Sequence, residues 1–541
     1  MEQHTSRRDW LLAASIIAGS AVRLYQLSEQ IIADDEWHAL HAARDRGFAS
    51  IAGHFGGADF SIPMALFYKA AMMTVGLSEW IMRAPVLLFG LLTLVAFPLL
   101  VGKLFDRPRA ALFGWLLAIS PLHIYYSRYA RPYSIALFCA LSGVLAFYLW
   151  RTTAARRWRY VYAVCAIVGP YFHLSVLLVV GVPIALMVLS ALYKQSRARE
   201  FPNRELVQVV VFVGIGLAVL LLPPIYGDFA TLADKARHGT LTREALVGAI
   251  GLLLGIESHS VQAFSLAIIA VGALSVWRRR PQVALLLGTS AAVVILTIFI
   301  ARPAGIEYPI VMARYALFLL PVVLLLLADG LYTIGAWLTR DRPAGAIMGM
   351  AWIVVLLEAG PLREIYYWPS NFTNHGAFQY YPSLKPQANP YIHDLSRPVS
   401  AFYVELGRQS AASMRILEAP WYYEWAFNPY PFYQHVHRQW VKIGFVKSEA
   451  QSSGELRAFD ARFRFRNFVH LRDMNGLCAH KIDRVVIHKN LQAELGRPID
   501  RDFSAELPGL ITLYEQTYAA PIFEDATLMV FSTTEHCRAA R

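Results

Sequence analysis

The sequence predicts a polytopic α-helical membrane protein with a soluble α/β domain at its C-terminal end, and three observations lead there. Hydrophobic residues make up 56% of the 541 and charged residues only 16%, with a mean hydropathy of +0.40, too apolar for a soluble chain of this length. The apolar residues gather in long uncharged runs up to residue 360. From 361 to 541 the chain instead mixes charge, aromatics and proline. Two domains follow: a membrane domain over 1–360, with a first outer loop over 28–80, and an extracytoplasmic domain over 361–541.

A span needs about 20 apolar residues. Stretches near 9–27, 81–104, 109–127, 132–150, 159–171, 173–192, 205–226, 260–277, 281–301, 309–338 and 343–360 meet or approach that length, about eleven in all. Arg7 and Arg8 precede the first run, and no small-residue cleavage site follows it, so the run is expected to stay as the first helix. With that end in the cytoplasm, Arg107, Arg109, Arg151 to Arg159, Lys194 to Arg204, Arg278 to Arg280, Arg340 and Arg342 fall in inner loops. The net charge of +12 is thereby explained by membrane orientation, and nucleic acid is excluded as a partner. Ile62 to Leu77 is apolar enough to span, but counting it would reverse every later loop, so it reads as an interfacial helix. Gly169-Pro170 divides 159–192 into two spans; counting one would move the tail to the other side.

The same threading places outside the residues most able to do chemistry. Asp34, Asp35 and Glu36 stand side by side after the first helix. Adjacent carboxylates repel unless a cation, a metal or a substrate hydroxyl uses them; the plain alternative is a solvated turn capping the next helix. A second outer segment, Ser120-Pro121-Leu122-His123-Ile124-Tyr125-Tyr126-Ser127-Arg128-Tyr129-Ala130-Arg131-Pro132-Tyr133-Ser134, holds two arginines suited to an anion such as phosphate. Snorkelling to lipid headgroups is their alternative role. Arg314 lies in an otherwise apolar run, where a charge is expensive and is expected to face an anion or carboxylate inside the bundle. Lys69 is the sole charge of the interfacial helix, and His173 follows the Gly-Pro break.

The order of an outer acid pair, an interfacial helix, and then Ser-Pro-Leu-His-Ile-Tyr-Tyr-Ser with Ala-Arg-Pro-Tyr resembles the GT-C superfamily of lipid-linked-sugar glycosyltransferases. Its bacterial branch of protein mannosyltransferases and lipid A aminoarabinose transferases is the nearest in pattern. The likeness runs through residues 10–340 in layout and rests on the motifs around Asp35-Glu36 and Arg128 to Tyr133. It implies a GT-C fold, a bacterial inner-membrane location, and transfer of one sugar, with inversion, from a polyprenyl-phosphate donor to an acceptor hydroxyl on a glycan, lipid or protein. By position Asp35 would be the general base with Glu36 beside it, while Arg314, Arg128, Arg131 and Lys69 would bind the donor phosphate. The branch usually carries Gln-Glu before Ala-Arg-Pro-Tyr; here Arg128-Tyr129 stands there, so a second-loop acid is missing. No cofactor is implied, although the acidic loop allows a divalent cation. Competing functions are a transporter or flippase of lipid-linked sugars and an envelope oligosaccharide polymerase or ligase.

In the tail, Arg415 to Glu418, Val441 to Val446, Arg484 to His488 and Thr527 to Phe531 read as strands, and 398–411 and 427–439 as helices. The aromatic run Glu418 to Trp425 suits sugar rings or packing equally; Glu418, Trp421 and Tyr422, with Asp59 and His173, are the acceptor- or sugar-binding candidates. His435 and His437 are expected on the surface, without a metal. Cys478 and Cys537 are expected to pair if the tail faces an oxidising compartment. Cys139 and Cys165 are expected to be inert in the membrane, and Asn371-Phe372-Thr373 matches a glycosylation acceptor by pattern alone.

Overall fold

The computed structural model describes residues 3–25, 27–29, 32, 36–56, 61–198, 204–234, 239–256, 258–339, 342–362, 399–410, 413–421, 430–445, 468–495 and 503–539. The chain forms two compact units. One comprises Met1–Tyr25, Ala42–Phe67 and Arg83–Leu362; the other comprises Gln26–His41, Tyr68–Met82 and Arg363–Arg541. Two pieces of the first outer loop thus group with the tail rather than with the membrane helices.

Among the described residues six helices are long and apolar enough to cross a membrane: Glu79–Leu104, Tyr133–Thr153, Arg204–Gly227, His259–Arg279, Pro281–Ala301 and Leu317–Leu338. Arg107–Ile119 with Pro121–Arg128 makes a seventh if that bent pair is one span. Trp10–Leu24, Val176–Ser190 and Gly345–Ala359 are shorter apolar helices. The protein is therefore a multi-pass membrane protein. Of the eleven expected stretches, 159–171 lies in Arg156–Phe172, whose first turn is arginine-rich and which is not among those helices. The expected spans 109–127 and 309–338 are both interrupted. The first bends by 60° at Ser120, because Pro121 has no N–H to continue the helix. The second divides into Pro309–Tyr315, a 3-10 turn at Leu317–Leu319, and Leu320–Thr339.

Two features pack the helices. A Cβ at Gly272 would lie 1.9 Å from the Leu326 carbonyl oxygen, and one at Gly330 would lie 2.1 Å from that of Ile268. Only glycine at both places lets His259–Arg279 and Leu320–Thr339 touch backbone to backbone, the usual device of membrane helices. On Leu320–Thr339 the fully buried Asp329 accepts from Arg109 Nε at 2.5 Å and lies 3.5 Å from Arg279 Nη1. Arg109, expected in an inner loop, is thus buried; it also bonds Asp106 and covers the Tyr332 ring. Inside a bundle a charge persists only when it is paired in this way.

Among the described residues the tail folds around six strands: β1 (Arg415–Trp421), β2 (Trp440–Phe445), β3 (Phe468–His470), β4 (Arg484–His488), β5 (Phe523–Glu524) and β6 (Leu528–Ser532). Their order is β3-β2-β1-β4-β6-β5, with the first four parallel and the last two joined antiparallel. β1, β2, β4 and β6 match the expected strands within a residue or three, and β3 and β5 were not foreseen. Helices Ala401–Gly407 and Tyr430–His437 lie within the two expected helical stretches. Cys478 and Cys537 are joined, their Cα atoms 5.1 Å apart, while Cys139 and Cys165 are buried and free.

Candidate functional site

The hinge at Ser120 is built by local sequence rules. Ser120 caps the helix Pro121–Arg128, its hydroxyl accepting from the His123 N–H at 3.4 Å, and Pro121 occupies the first turn, where no N–H is required. Beyond Arg128 the backbone closes on itself, Arg131 N–H donating to Tyr129 O at 2.6 Å and Tyr133 N–H to Arg131 O at 2.8 Å. The next helix, Tyr133–Thr153, begins at once.

Two arginines lock this hinge to the first helix, Gln3–Leu24. Arg23, fully buried, donates through Nη1 to Gly19 O at 2.8 Å and Ala118 O at 2.9 Å, and through Nη2 to Leu117 O at 3.1 Å. Its Nη2 also lies 2.5 Å from His123 Nδ1, and its Nε donates to Ser127 Oγ at 3.3 Å. A guanidinium only donates, so His123 Nδ1 is an acceptor and its hydrogen sits on Nε2. Arg128, 2% exposed, answers in the opposite sense: its Nη1 donates to Val22 O and Arg23 O at 3.3 Å and to Tyr25 O at 2.6 Å. Arg23 therefore sits on the carbonyl end of Arg107–Ile119 and Arg128 on that of Gln3–Leu24, where each helix dipole favours positive charge.

Past the hinge three polar side chains meet on Tyr133. The guanidinium carbon of Arg314 lies 5.8 Å from the ring centre and that of Arg131 5.9 Å. The His173 ring is 5.5 Å away, with its Nδ1 held 2.6 Å from Ser175 Oγ. Tyr126 packs edge-on against the same ring at 4.9 Å. Arg314 is in the last turn of Pro309–Tyr315 and half-buried; Arg131 is buried. Arginine heads around one aromatic ring, partly withdrawn from water, have the charge and fork geometry to hold a phosphate.

Of the expected site residues the fold therefore brings Arg131, Arg314 and His173 together around Tyr133. Arg128 stands at the adjoining hinge, engaged with carbonyls. Glu36 is buried as the first residue of Glu36–Asp45, where its charge suits the helix N-terminus. Lys69 is half-buried in Ile62–Thr74. Glu36 and Lys69 belong to the unit that holds the tail. Asp34, Asp35, Asp59, Tyr422 and the Asn371-Phe372-Thr373 pattern lie outside the described residues. Among the described residues no group of three or more His, Cys, Asp or Glu is arranged for a metal ion.

Glu418 and His437 depart from expectation. Both are fully enclosed. Glu418 Oε2 accepts from Tyr403 Oη at 2.9 Å and lies 3.0 Å from His488 Nε2, while Oε1 faces His437 Nε2 at 3.7 Å. His488 Nδ1 in turn lies 2.7 Å from Glu494 Oε2, and Tyr433 donates to Glu494. These groups fill the point between β1 and β4 where the strand order reverses, the place where an open parallel sheet would admit a ligand. Glu418 consequently is not on a surface that a sugar reaches, and His437 is a core residue rather than a surface one. Trp421 ends β1.

Arg23 and Ser175 escaped sequence reasoning. Arg23 had a signal, a charge at the end of an apolar run; Ser175 had none beyond its proximity to His173.

No protein-family model matches the chain, and no curated protein matches it. Among solved structures it is similar to ArnT from Cupriavidus metallidurans in the apo state, with a TM-score of 0.47 and 12% identity over 99% of both chains. The same protein bound to undecaprenyl phosphate gives 0.43 and 12% over 98% of both. The Archaeoglobus fulgidus oligosaccharyltransferase complex with zinc and sulfate gives 0.41 and 12%, covering 97% of this chain and 73% of that one.

Proposed function

We propose that the protein is a GT-C-type membrane glycosyltransferase that moves a single sugar from a polyprenyl-phosphate donor to an acceptor hydroxyl on the outer side of a bacterial cytoplasmic membrane. The observation that carries this reading is the meeting of Arg131 and Arg314 on the Tyr133 ring, within the segment that bears the Ala-Arg-Pro-Tyr motif. A lipid phosphate there would lie between two guanidinium groups that neutralise the charge it gains as the glycosidic bond breaks. Asp35 takes the acceptor proton as the oxygen attacks the anomeric carbon, Glu36 lies beside it, and Lys69 adds positive charge. One in-line displacement inverts the anomeric centre. His173, held by Ser175, offers a donor to the sugar or the phosphate; Asp59, Trp421 and Tyr422 remain acceptor-side candidates.

The test compares wild type with Asp35→Ala in detergent, each given polyprenyl-phosphate sugars and membrane-extracted acceptors, with release of polyprenyl phosphate followed by mass spectrometry. Loss of at least roughly 10²-fold in the variant is expected. Equal release by both would move the base elsewhere, and no release by wild type from any donor would favour a transporter.

A further inference from the structure

On the reading that Arg131 and Arg314 hold the donor phosphate, we infer that Arg23 and Arg128 are positioning residues, which by capping the ends of Arg107–Ile119 and Gln3–Leu24 hold the hinge angle that brings Arg131 to Arg314.

The geometry supports this in three steps. First, the caps act on the bend itself. Arg23 engages Leu117 and Ala118 immediately before the break at Ser120, and His123 and Ser127 after it, so one guanidinium holds both arms of the 60° angle. Arg128 ties the far end of the second arm to the first helix. Second, the bend is wedged from behind. A Cβ at Gly90 would lie 2.4 Å from Ser127 Oγ, and one at Gly255 would lie 2.8 Å from Pro121 Cδ. The arms therefore have no room to settle elsewhere while the caps hold. Third, the anion-binding groups are attached to different elements. Arg131 and Tyr133 follow Arg128 through a backbone-bonded turn, whereas Arg314 arrives from Pro309–Tyr315. Any change in the hinge moves Arg131 and Tyr133 relative to Arg314, and a misplacement of about 1 Å costs roughly 10²-fold in rate.

The hinge arginines of the motif thereby have different tasks: Arg131 meets the anion, and Arg128 sets where Arg131 stands. Arg23, outside the motif, completes the lock.

The experiment uses the full chain in detergent, with Arg23→Gln, Arg128→Gln, the double variant, and Arg128→Lys. Two quantities are read: kcat and donor KM from polyprenyl phosphate release, and hydrogen exchange of the backbone amides of residues 117–134. Each single Gln variant should lose roughly 10²-fold in kcat/KM and exchange faster across 117–134. The double variant should fall no more than about 3-fold below the worse single, because both changes release one bend. Arg128→Lys should recover at least about ten-fold of the loss, since an ammonium also donates to carbonyls. Unchanged exchange in both single variants, or losses that multiply in the double, would overturn the inference. Wild-type silence toward every donor would defeat the transferase reading, and the exchange measurement alone would then decide the role of the two arginines.

Discussion

Glu418 and His488 face each other across neighbouring strands, with Oε2 and Nε2 3.0 Å apart and both side chains fully enclosed. Burial alone would make both groups neutral. For Glu418 the burial cost is outweighed by hydrogen bonds and charge from His437 and His488, which hold its carboxyl below the ordinary 4.5. For His488 burial is outweighed by the charges and hydrogen bonds of Glu494 and Glu418, which push it up from 6.5 to about 10. His437 goes the other way: burial lowers it, Glu418 only partly opposing. Gln439 N–H donates to its Nδ1 at 3.0 Å, so a second proton there would break that bond. At neutral pH the cluster thus contains a charged His488 between two carboxylates and a neutral His437.

Glu418→Gln should destabilise the tail by about 3 kcal/mol, because it leaves the charged His488 with one carboxylate in a dry core. Calorimetry of the purified full chain checks this, as a downward shift of the transition assigned to the tail.

The stability of the tail should peak near pH 6.5. His488 has a raised pKa in the folded state, so its contribution is complete below 6.5 and is lost as pH climbs from 6.5 to about 10. On the acid side His437, lowered on folding, draws a proton first in the unfolded chain, so stability falls as pH drops below 6.5. Glu418, also lowered, adds its loss below 4.5. A series of melting curves from pH 4 to pH 10, given as on the order of one unit per step, tests this. His488→Gln should flatten the alkaline limb; an unchanged limb would show that other groups set it.

Reduction of Cys478–Cys537, which closes 59 residues of chain, should cost the tail about 4 kcal/mol through the freedom regained by its unfolded state. The same calorimetry with and without reductant reads the effect. The transitions of the helical unit, which holds both free cysteines buried, should stay in place.

Arg131→Gln and Arg314→Gln should each lower kcat/KM for the lipid-phosphate donor by roughly 10²-fold. Melting should change little for Arg314→Gln, because that side chain is half-buried and reaches Tyr133 and Tyr315 from its own short helix. A loss confined to acceptor KM would place these arginines on the acceptor instead.

The amino-acid sequence alone determined the solvent of each part of this chain, since long uncharged runs and positive loops reflect transfer free energies that act residue by residue. It also determined most strands of the tail, where local pattern suffices, and it allows the cysteine pair on the condition that the tail faces an oxidising compartment. Helix ends at Pro281, Pro309 and Asp106-Arg107-Pro108 are likewise local, being set by capping and by proline's missing N–H. Tertiary structure decided what the charged residues do. Arg128 and Arg131 stand three apart in one motif, yet one meets carbonyls and the other an aromatic ring shared with Arg314. Arg109 pairs with Asp329 across 220 positions, and Glu418, in an aromatic run that suits sugar rings or packing equally, is enclosed by two histidines and a tyrosine. The physical reason is the same in each case. The energy of a charge depends on partners and dielectric, which long-range packing supplies, whereas transfer of an apolar run into the bilayer and backbone capping depend on residues adjacent in the chain.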